Sequence, residues 1–277
     1  MTSSADFPAR YGPWALVTGA SDGIGRAIAR ELAARGLHLV LVARGREALE
    51  AVAQELGSGF GIQTRVVTAD LSSPAERRRL ESLVGETPVG LVVAAAGFGT
   101  SGPFLEADPE AESGMLEVNC AAVLELCLHF APRLQRRGGG GIILLSSLLA
   151  FQGVPGAAHY AATKAWVQSL AEGLRPEFRR HGIDLLCAAP GPVRSGFGAR
   201  ARMTLGFAAE ADDVARDVVQ ALERRRFLVR PAMLSWLLEA SLKPLPRFAR
   251  TRILAKIMDG MTRRPPEAAP AGPGTRI

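Results

Sequence analysis

The 277-residue chain is poor in lysine, tyrosine and asparagine. Its lysines are Lys164, Lys243 and Lys256, its tyrosines are Tyr11 and Tyr160, and its single asparagine is Asn119. Almost every basic residue is therefore an arginine, which stays protonated, whereas lysine is a compact charge that can join a proton relay. We therefore expect chemistry where a lysine follows a tyrosine by four residues, in Tyr160-Ala161-Ala162-Thr163-Lys164.

Cysteine and histidine are also scarce. The cysteines Cys120, Cys127 and Cys187 form no C-x-x-C motif, which favours buried thiols in a reducing compartment over disulfides. The four histidines are scattered, so no metal site is expected. The N-terminus lacks a signal-peptide pattern and no apolar run reaches ~18 residues, which predicts neither secretion nor a membrane span. We expect a cytoplasmic protein.

The positive charge is unevenly distributed. The net charge is +6, and residues 231–277 hold eight basic and three acidic residues, which is a net +5. The short runs Arg77-Arg78-Arg79 and Arg224-Arg225-Arg226 lie among acidic residues in helical contexts. A solvated helix face explains these runs better than a nucleic-acid patch, so no nucleic-acid partner is expected.

Short apolar runs alternate with amphipathic stretches along most of the chain. Strands are expected at 14–18, 37–43, 64–68, 89–94, 142–146, 183–189 and 227–229. Helices are expected from the first glycine-rich turn to about 35, and at 46–56, 73–84, 109–137, 158–180 and 211–225. This alternation predicts an α/β fold, a doubly wound parallel sheet of the Rossmann-like kind, in one domain.

The domain is expected to span 12–230, after a loose lead-in at 1–12. A Gly-rich loop is expected at 191–208. Residues 231–262 read as a helical, basic C-terminal extension, and 263–277, rich in Pro, Ala and Gly, as a disordered tail.

Three glycines follow the first strand, in the order Gly19-x-x-x-Gly23-x-Gly25. Glycines at this place let the backbone turn tightly and approach a pyrophosphate at a helix N-terminus. The alternative is a plain glycine-rich turn, but the position at the first strand–helix junction favours phosphate binding.

The end of the second strand bears on the choice of dinucleotide. An acidic residue there bonds the ribose hydroxyl of NAD, whereas an arginine suits the 2′-phosphate of NADP. This strand ends at Arg44 with no acid, which predicts NADP(H) rather than NAD(H). Alternatively, Arg44 only solvates the strand end, and Asp22 would repel a phosphate placed too near. Asp70 either bonds the adenine amine or caps the helix from Ser72 onward.

The spacing of Tyr160 and Lys164 puts both side chains on one face of a helix. An unperturbed tyrosine titrates near ~10, and lowering its pKa by ~3 units needs about 4 kcal/mol, which a close ammonium could largely supply. The alternative is a chance pair on a helix face. Ser147, 13 residues before Tyr160, could bond a substrate carbonyl, with Ser146 as the competing candidate. Asn119 either has a specific polar role or is an ordinary hydrogen-bonded amide on a helix surface.

Together these motifs resemble those of the short-chain dehydrogenase/reductase family over about residues 12–230. The matching positions, in order, are Thr18–Gly25, Asp70, Asn119, Ser147, Tyr160-x-x-x-Lys164 and Pro190-Gly191. The stretch from Trp14 to Ala43 looks most like the NADP(H)-preferring branch that acts on 3-oxoacyl or 17-beta-hydroxysteroid-type substrates.

The resemblance implies a role for each matching residue. It implies that Tyr160 is the general acid/base and that Ser147 orients the substrate oxygen. It implies that Lys164 binds the nicotinamide ribose and lowers the tyrosine pKa, and that Asn119 holds a water in the proton relay. The implied cofactor contacts are Gly19, Ser21, Asp22, Gly23, Ile24, Gly25, Arg44, Asp70, Leu71, Ala95, Ala96, Gly97, Asn119, Tyr160, Lys164, Pro190, Gly191, Val193 and Ser195.

The chain departs from the family pattern after the fourth strand. The family's Asn-Asn-Ala-Gly is Ala94-Ala95-Ala96-Gly97 here, so only backbone contacts carry over. Ser195 stands where the family commonly has threonine. Some NADP(H)-using members carry a second basic residue at the position of Asp22.

The expected function is NADP(H)-dependent interconversion of a ketone and a secondary alcohol on an apolar acyl-chain or steroid-like substrate. The rivals are a catalytically silent cofactor-binding regulatory protein and a membrane-surface scaffold. Apolar residues in 231–262 predict either a wall of the substrate pocket or a peripheral membrane contact. Surplus apolar positions at 109–137 and 158–180, helices that pair in family members, predict a homodimer or homotetramer.

Overall fold

The computed structural model describes residues 6–201, 203, 208–231 and 245–262. At its centre is a seven-stranded sheet in the order β3-β2-β1-β4-β5-β6-β7, with every neighbouring pair parallel. The strands are Trp14–Thr18 (β1), His38–Ala43 (β2), Thr64–Thr68 (β3), Val89–Ala94 (β4), Gly140–Leu145 (β5), Ile183–Ala188 (β6) and Leu228–Val229 (β7). The predicted doubly wound parallel sheet is confirmed.

Helices cover both faces of this sheet. They are Asp6–Tyr11 (α1), Gly23–Ala33 (α2), Arg46–Phe60 (α3), Pro74–Val84 (α4), Pro109–Leu116 (α5), Ala122–Arg137 (α6), Ala158–Arg179 (α7), Gly196–Arg200 (α8), Ala211–Glu223 (α9) and Arg247–Thr262 (α10). A π-helical turn, Glu117–Ala121, joins α5 to α6, and 3₁₀ turns lie at Phe104–Glu106 and Leu148–Phe151.

The strands divide the core into two layers because successive side chains point to opposite faces. Ala15, Val17 and Leu39 pack with apolar side chains of α1, α2, α3 and α9. Leu16 and Val40 pack on the other face with side chains of α4, α6 and α7. The near-continuous apolar strands of the sequence therefore reflect a sheet buried on both sides.

The expected lead-in at 1–12 is wrong for residues 6–11, which form α1. Phe7 and Tyr11 belong to the core, and the Tyr11 hydroxyl donates to Asp184 Oδ2 at 2.8 Å. Arg10 forms an ion pair with the same carboxylate at 2.6 Å. The segment was too short for a periodic apolar pattern, and its partners lie far along the chain.

The long helix expected at 109–137 is observed as Pro109–Arg137, with the π-helical turn inside it. By length and composition this helix could cross a membrane, but core helices of soluble proteins pass the same test, and 44% of its most apolar window is buried inside the fold. The expected loop at 191–208 contains the short helix α8.

Within the helical extension expected at 231–262, the structure describes the helix α10, Arg247–Thr262. Leu254 and Met258 of α10 are buried against Val154, Ala157 and Ala161, close to the start of α7. Residues 232–244 and the expected tail at 263–277 lie outside the described residues, as do most of 202–207. The bounds of the extension and the tail stay predictions.

Candidate active site

The strand order reverses between β1 and β4, and open α/β sheets bind ligands at such a point, outside the carboxyl ends of the strands. Gly19 adopts a φ of +67° directly after β1. A Cβ built on Gly19 would lie 2.9 Å from the Ala96 backbone, and one on Gly23 would lie 2.9 Å from Ser195 Cβ. The glycines are thus required by close backbone approaches at the switch point.

Thr18 anchors the loop after β4. Its Oγ1 accepts hydrogen bonds from Ala95 N and Ala96 N, each at 3.1 Å, and donates to Val93 O at 3.3 Å. The alanines that stand at the asparagine positions are therefore held through their backbone by a side chain from the neighbouring strand. Thr18 belongs to the matching stretch Thr18–Gly25, but nothing local in the sequence indicates that its hydroxyl anchors this loop.

Asp22 lines the cleft, and both of its carboxylate oxygens accept hydrogen bonds from the backbone. Its Oδ1 accepts from Gly23 N at 2.7 Å, which caps α2, and its Oδ2 accepts from Gly196 N at 3.0 Å. Both oxygens are used by backbone donors, which offsets the repulsion that a nearby phosphate would otherwise meet. Asp22 thereby ties the glycine-rich turn to the loop after β6.

Arg44 and Asp70 lie on the same side of the cleft, beyond β2 and β3. Burial opposes ionisation of Asp70, but hydrogen bonds from the backbone and hydroxyl of Ser72 and the charge of Arg44 together lower the pKa of Asp70. The N-cap of α4 is Ser73, not Asp70, so Asp70 closes the turn before the helix. Both side chains line the cavity described below.

Asn119 lies in the π-helical turn and is completely buried. Its Nδ2 donates to Phe98 O at 2.9 Å and to Thr163 Oγ1 at 3.0 Å, and its Oδ1 accepts from Phe98 N at 3.2 Å. Single π turns inside α-helices recur at functional sites. The interpretation as a surface amide is wrong, and the specific task that the structure shows is to bind the loop after β4 to α7.

Ser146 and Ser147 follow β5 and have different partners. The Ser146 hydroxyl donates to Lys164 O at 3.0 Å and is buried. Ser147 Oγ accepts from Leu149 N at 3.2 Å and is hydrogen-bonded to Tyr160, which acts to lower the tyrosine pKa. The contact with Tyr160 favours Ser147 over Ser146 as the group that meets a substrate oxygen.

Tyr160 and Lys164 lie one turn apart on α7, both buried. Burial raises the pKa of Tyr160 to about 12, and burial lowers the pKa of Lys164 to about 8. The Lys164 Nζ donates to Leu145 O at 2.9 Å and lies 5.9 Å from the centroid of the Tyr160 ring. The expected lowering of the tyrosine pKa by this lysine is therefore not seen in the protein alone, because the loss of hydration dominates.

One cavity of about 650 Å³ joins these groups. It runs from the glycine-rich turn past Ser147, Tyr160 and Lys164 to α10. Every residue expected to contact the cofactor lines it except Asn119, which lies behind Gly97. Its far part carries apolar side chains that the sequence did not single out as site residues, since their position depends on tertiary packing; they include Phe98, Leu149, Phe151, Phe197 and Met203.

Phe197 of α8 closes over the tyrosine. Its ring centroid lies 5.5 Å from that of Tyr160, and a Cβ on Gly99 would lie 2.9 Å from Phe197 Cζ and 3.0 Å from Tyr160 Cδ2. On α10, Leu254, Ile257 and Met258 also face the cavity. These residues make the inner end of the cavity an apolar chamber around the Tyr160 ring.

Among the described residues, no group of three or more His, Cys, Asp or Glu could hold a metal. The three cysteines are buried and free, and burial raises the pKa of each thiol. The side chains that line the cavity include the Tyr160 phenol, the Ser147 hydroxyl and the Lys164 amine.

Residues 13–205 match the model of the short chain dehydrogenase family, and the chain belongs to this family of oxidoreductases. It is 33% identical over 185 residues to very-long-chain 3-oxoacyl-CoA reductase-A of Danio rerio, covering 65% of this chain and 58% of the relative. It is 32% identical over 186 residues to 7beta-hydroxysteroid dehydrogenase of Clostridium sardiniense, covering 67% and 71%. The chain thus spans less than two thirds of the zebrafish relative's length.

Among solved structures, the chain resembles a short-chain dehydrogenase from Sphingobium yanoikuyae in complex with NADPH. The TM-score is 0.78 at 30% sequence identity, and the match covers 94% of this chain and 99% of that one. The expected family and Rossmann-like fold are confirmed.

Proposed function

We propose that this protein interconverts a ketone and a secondary alcohol with NADP(H), using Tyr160 as the general acid/base. The observation that carries the proposal is the single cavity in which Ser147, Tyr160 and Lys164 meet the glycine-rich turn at the sheet edge. Every component that the reaction requires then lies within one continuous volume.

The residues of the cleft fit the dinucleotide. Gly19, Gly23 and Gly25 line the cavity at the start of α2, where backbone donors of a helix N-terminus suit a pyrophosphate. Arg44 follows β2, beside the expected position of a 2′-phosphate, and its guanidinium can form charge-assisted hydrogen bonds to that group. The NADPH in the Sphingobium structure supports the same choice. We propose NADP(H) as the cofactor, with NAD(H) the weaker alternative.

When bound, NADP(H) supplies or accepts the hydride at the substrate carbon. In the reducing direction, Tyr160 donates its phenolic proton to the carbonyl oxygen, which completes the alcohol. Its raised pKa keeps it protonated at neutral pH. We expect Ser147 to bond the same oxygen, and its hydrogen bond to Tyr160 supports this role. Lys164 supplies positive charge within the buried site as the proton leaves, which favours the phenolate that forms.

The apolar chamber supports a bulky apolar ketone as the substrate. Phe98, Phe151 and Phe197 line it together with Leu254 and Met258 of α10. Such walls bind by burial of apolar area and give little preference among similar shapes. The names of the two relatives, a 3-oxoacyl-CoA reductase and a hydroxysteroid dehydrogenase, agree with this class.

The surface supports proposals for partners. The exposed apolar side chains include Leu116 of α5, Leu128 of α6 and Trp166 of α7. Their exposure suits self-association into a homodimer or homotetramer. Phe248 and Ile253 are exposed on α10 beside the basic side chains of that helix, which suits contact of a cytoplasmic protein with an anionic membrane.

The test of the function is turnover by Tyr160→Phe. We expect ketone-dependent oxidation of NADPH in the wild-type protein and a loss of ~10²-fold or more in kcat in the variant, the usual scale for a general acid. NADPH binding, followed by nucleotide fluorescence, should persist. Tyr11→Phe is the matched control because Tyr11 lies in the core away from the cavity.

Near-normal turnover in Tyr160→Phe would refute the role of the phenol. NADPH binding without turnover of any bulky ketone or alcohol by the wild-type protein would favour the catalytically silent alternative. The complete set of Ser147, Tyr160 and Lys164 argues against that alternative.

A further inference from the structure

The loop after β4, residues 97–102, is fastened to its surroundings at almost every position. Phe98 is bonded through its backbone to Asn119, and Gly99 packs against Phe197 and Tyr160. The Ser101 hydroxyl donates to Ala201 O at 2.5 Å, and Gly102 N donates to Gly156 O at 2.9 Å. The loop therefore forms part of the cavity wall and contacts α7, which carries Tyr160 and Lys164.

Thr100 of the same loop is also fastened, through a contact that takes no part in the reaction itself. Its Oγ1 donates to Glu112 Oε1 at 2.6 Å. The other oxygen of Glu112, Oε2, lies 2.5 Å from His159 Nδ1, in the first turn of α7. One carboxylate on α5 thus joins the loop after β4 to the residue that precedes Tyr160.

The chemistry of the three groups makes this arrangement specific. An ionised carboxylate can only accept, so the hydroxyl of Thr100 and the Nδ1 proton of His159 both point to Glu112. The side chain of Glu112 is 16% exposed and that of His159 is 26% exposed. A carboxylate this poorly hydrated is costly unless donors surround it, so each donor stabilises the position of the other.

We propose that Glu112 is a positioning residue that holds the loop after β4 against the first turn of α7, through Thr100 and His159. The inference rests on the proposed function for its effect on turnover. Neither Thr100, Glu112 nor His159 lines the cavity, so they act through the placement of Gly99, Phe98 and Tyr160. Alanines stand where the family has its asparagines after β4, and this contact anchors the far end of the same loop.

Paired substitutions separate positioning from mere packing. Thr100→Val and His159→Leu remove the donors at similar volume. Thr100→Ser keeps the hydroxyl, and His159→Asn keeps an N–H donor near the place of Nδ1. We expect the first pair to lower kcat for a bulky ketone ~10-fold, because small misplacements of reacting groups are costly, with the dissociation constant of NADPH unchanged. The second pair should retain most of the activity.

Hydrogen exchange gives a readout that does not need turnover. The amides of Phe98 and Gly102 are protected by the bonds to Asn119 and Gly156. We expect faster exchange at 98–102 and in the first turn of α7 in Thr100→Val, His159→Leu and Glu112→Ala, with the central strands unchanged. Glu106→Ala, an exposed acidic residue on the same connection, is the control and should match the wild-type protein.

Wild-type exchange and kcat in Thr100→Val and His159→Leu would overturn the proposal. Equal losses of activity in Thr100→Ser and Thr100→Val, and in His159→Asn and His159→Leu, would also overturn it. Altered packing alone would then explain the losses. Absence of ketone reduction in the wild-type protein would refute the proposed function only, because the exchange of the loop would still decide whether Glu112 holds it.

Discussion

Replacing Lys164 by methionine is expected to make the folded protein more stable at neutral pH while it abolishes turnover. Lys164 is buried, and burial lowers its pKa from the ordinary 10.5 to about 8. At 1.36 kcal/mol per unit, the charged form costs about 3 kcal/mol in the folded state. Methionine carries no charge, fills a similar volume and removes that cost.

The hydrogen bond to Leu145 O acts in the opposite direction. Its loss removes about 1 kcal/mol and leaves a buried carbonyl with one donor fewer, a further cost of about 1 kcal/mol. We therefore expect Lys164→Met to raise the free energy of unfolding by about 1 kcal/mol at pH 7. Functional groups that lower stability in this way are common in active sites.

The pH dependence of the difference in unfolding free energy between Lys164→Met and the wild-type protein is the sharper test. Below pH 8 the lysine is charged in both the folded and the unfolded chain, and the folded protein bears the full cost. Between pH 8 and 10.5 the unfolded chain binds the extra proton, so wild-type stability rises with pH through this window. The advantage of Lys164→Met should fall by about 3 kcal/mol between pH 7 and pH 10.5, and change sign.

Urea unfolding of both proteins at the two pH values measures this difference. Lys256→Met is the control, because Lys256 is exposed on α10 and should show no such dependence. A difference in unfolding free energy between wild type and Lys164→Met that is the same at pH 7 and pH 10.5 would refute the reasoning. Turnover that survives in Lys164→Met would refute the place of Lys164 in the proton relay.

Three further results are expected. Arg44→Asp should weaken the binding of NADPH at least ~tenfold in titrations and leave the binding of NADH unchanged or improved. The control Arg46→Asp should not weaken the binding of NADPH. Equal use of both cofactors by the wild-type protein would contradict this prediction. Ile257→Trp narrows the chamber at its partly exposed edge. It should lower kcat/KM for a bulky ketone ~10-fold more than for a small ketone. An equal effect on both ketones would exclude a chamber wall formed by α10. Sedimentation should show a multiple of 29.3 kDa at micromolar concentration, and a mass near 29.3 kDa would rule out the oligomer.

The sequence predicted well the features that depend on local pattern. The bounds of β1, β3 and β4 match the expected ones, because each is a short apolar run between turn residues. Parallel strands end at one edge of the sheet, so the glycine-rich turn, Arg44, Ser147 and Tyr160 had to converge once the alternation was recognised. The contacts at that edge follow from the fold class.

Other features depend on residues far apart in the chain. Asp22 meets Gly196 N across 174 positions. Glu112 meets Thr100 and His159 only after three elements have packed. No periodic pattern marks such contacts, because each uses a single ordinary residue. The substrate pocket was predicted in the loop 194–210 and the C-terminal segment, but Phe197 itself was not singled out, since it lies in a stretch with the composition of a loop.

The titration of Tyr160 and Lys164 shows how burial changes an argument that starts from spacing alone. From the sequence, a lysine one turn away should favour the phenolate. In the folded protein the two groups are buried, and Nζ is held by Leu145 O, 5.9 Å from the ring centroid. Loss of hydration disfavours the charged form of each, which moves their pKa values in opposite directions. A neutral phenol is a proton donor, so under the proposed function the protonated Tyr160 suits the reduction of a ketone. Oxidation of an alcohol would first require Tyr160 to lose its proton, and therefore an additional positive charge or a higher pH.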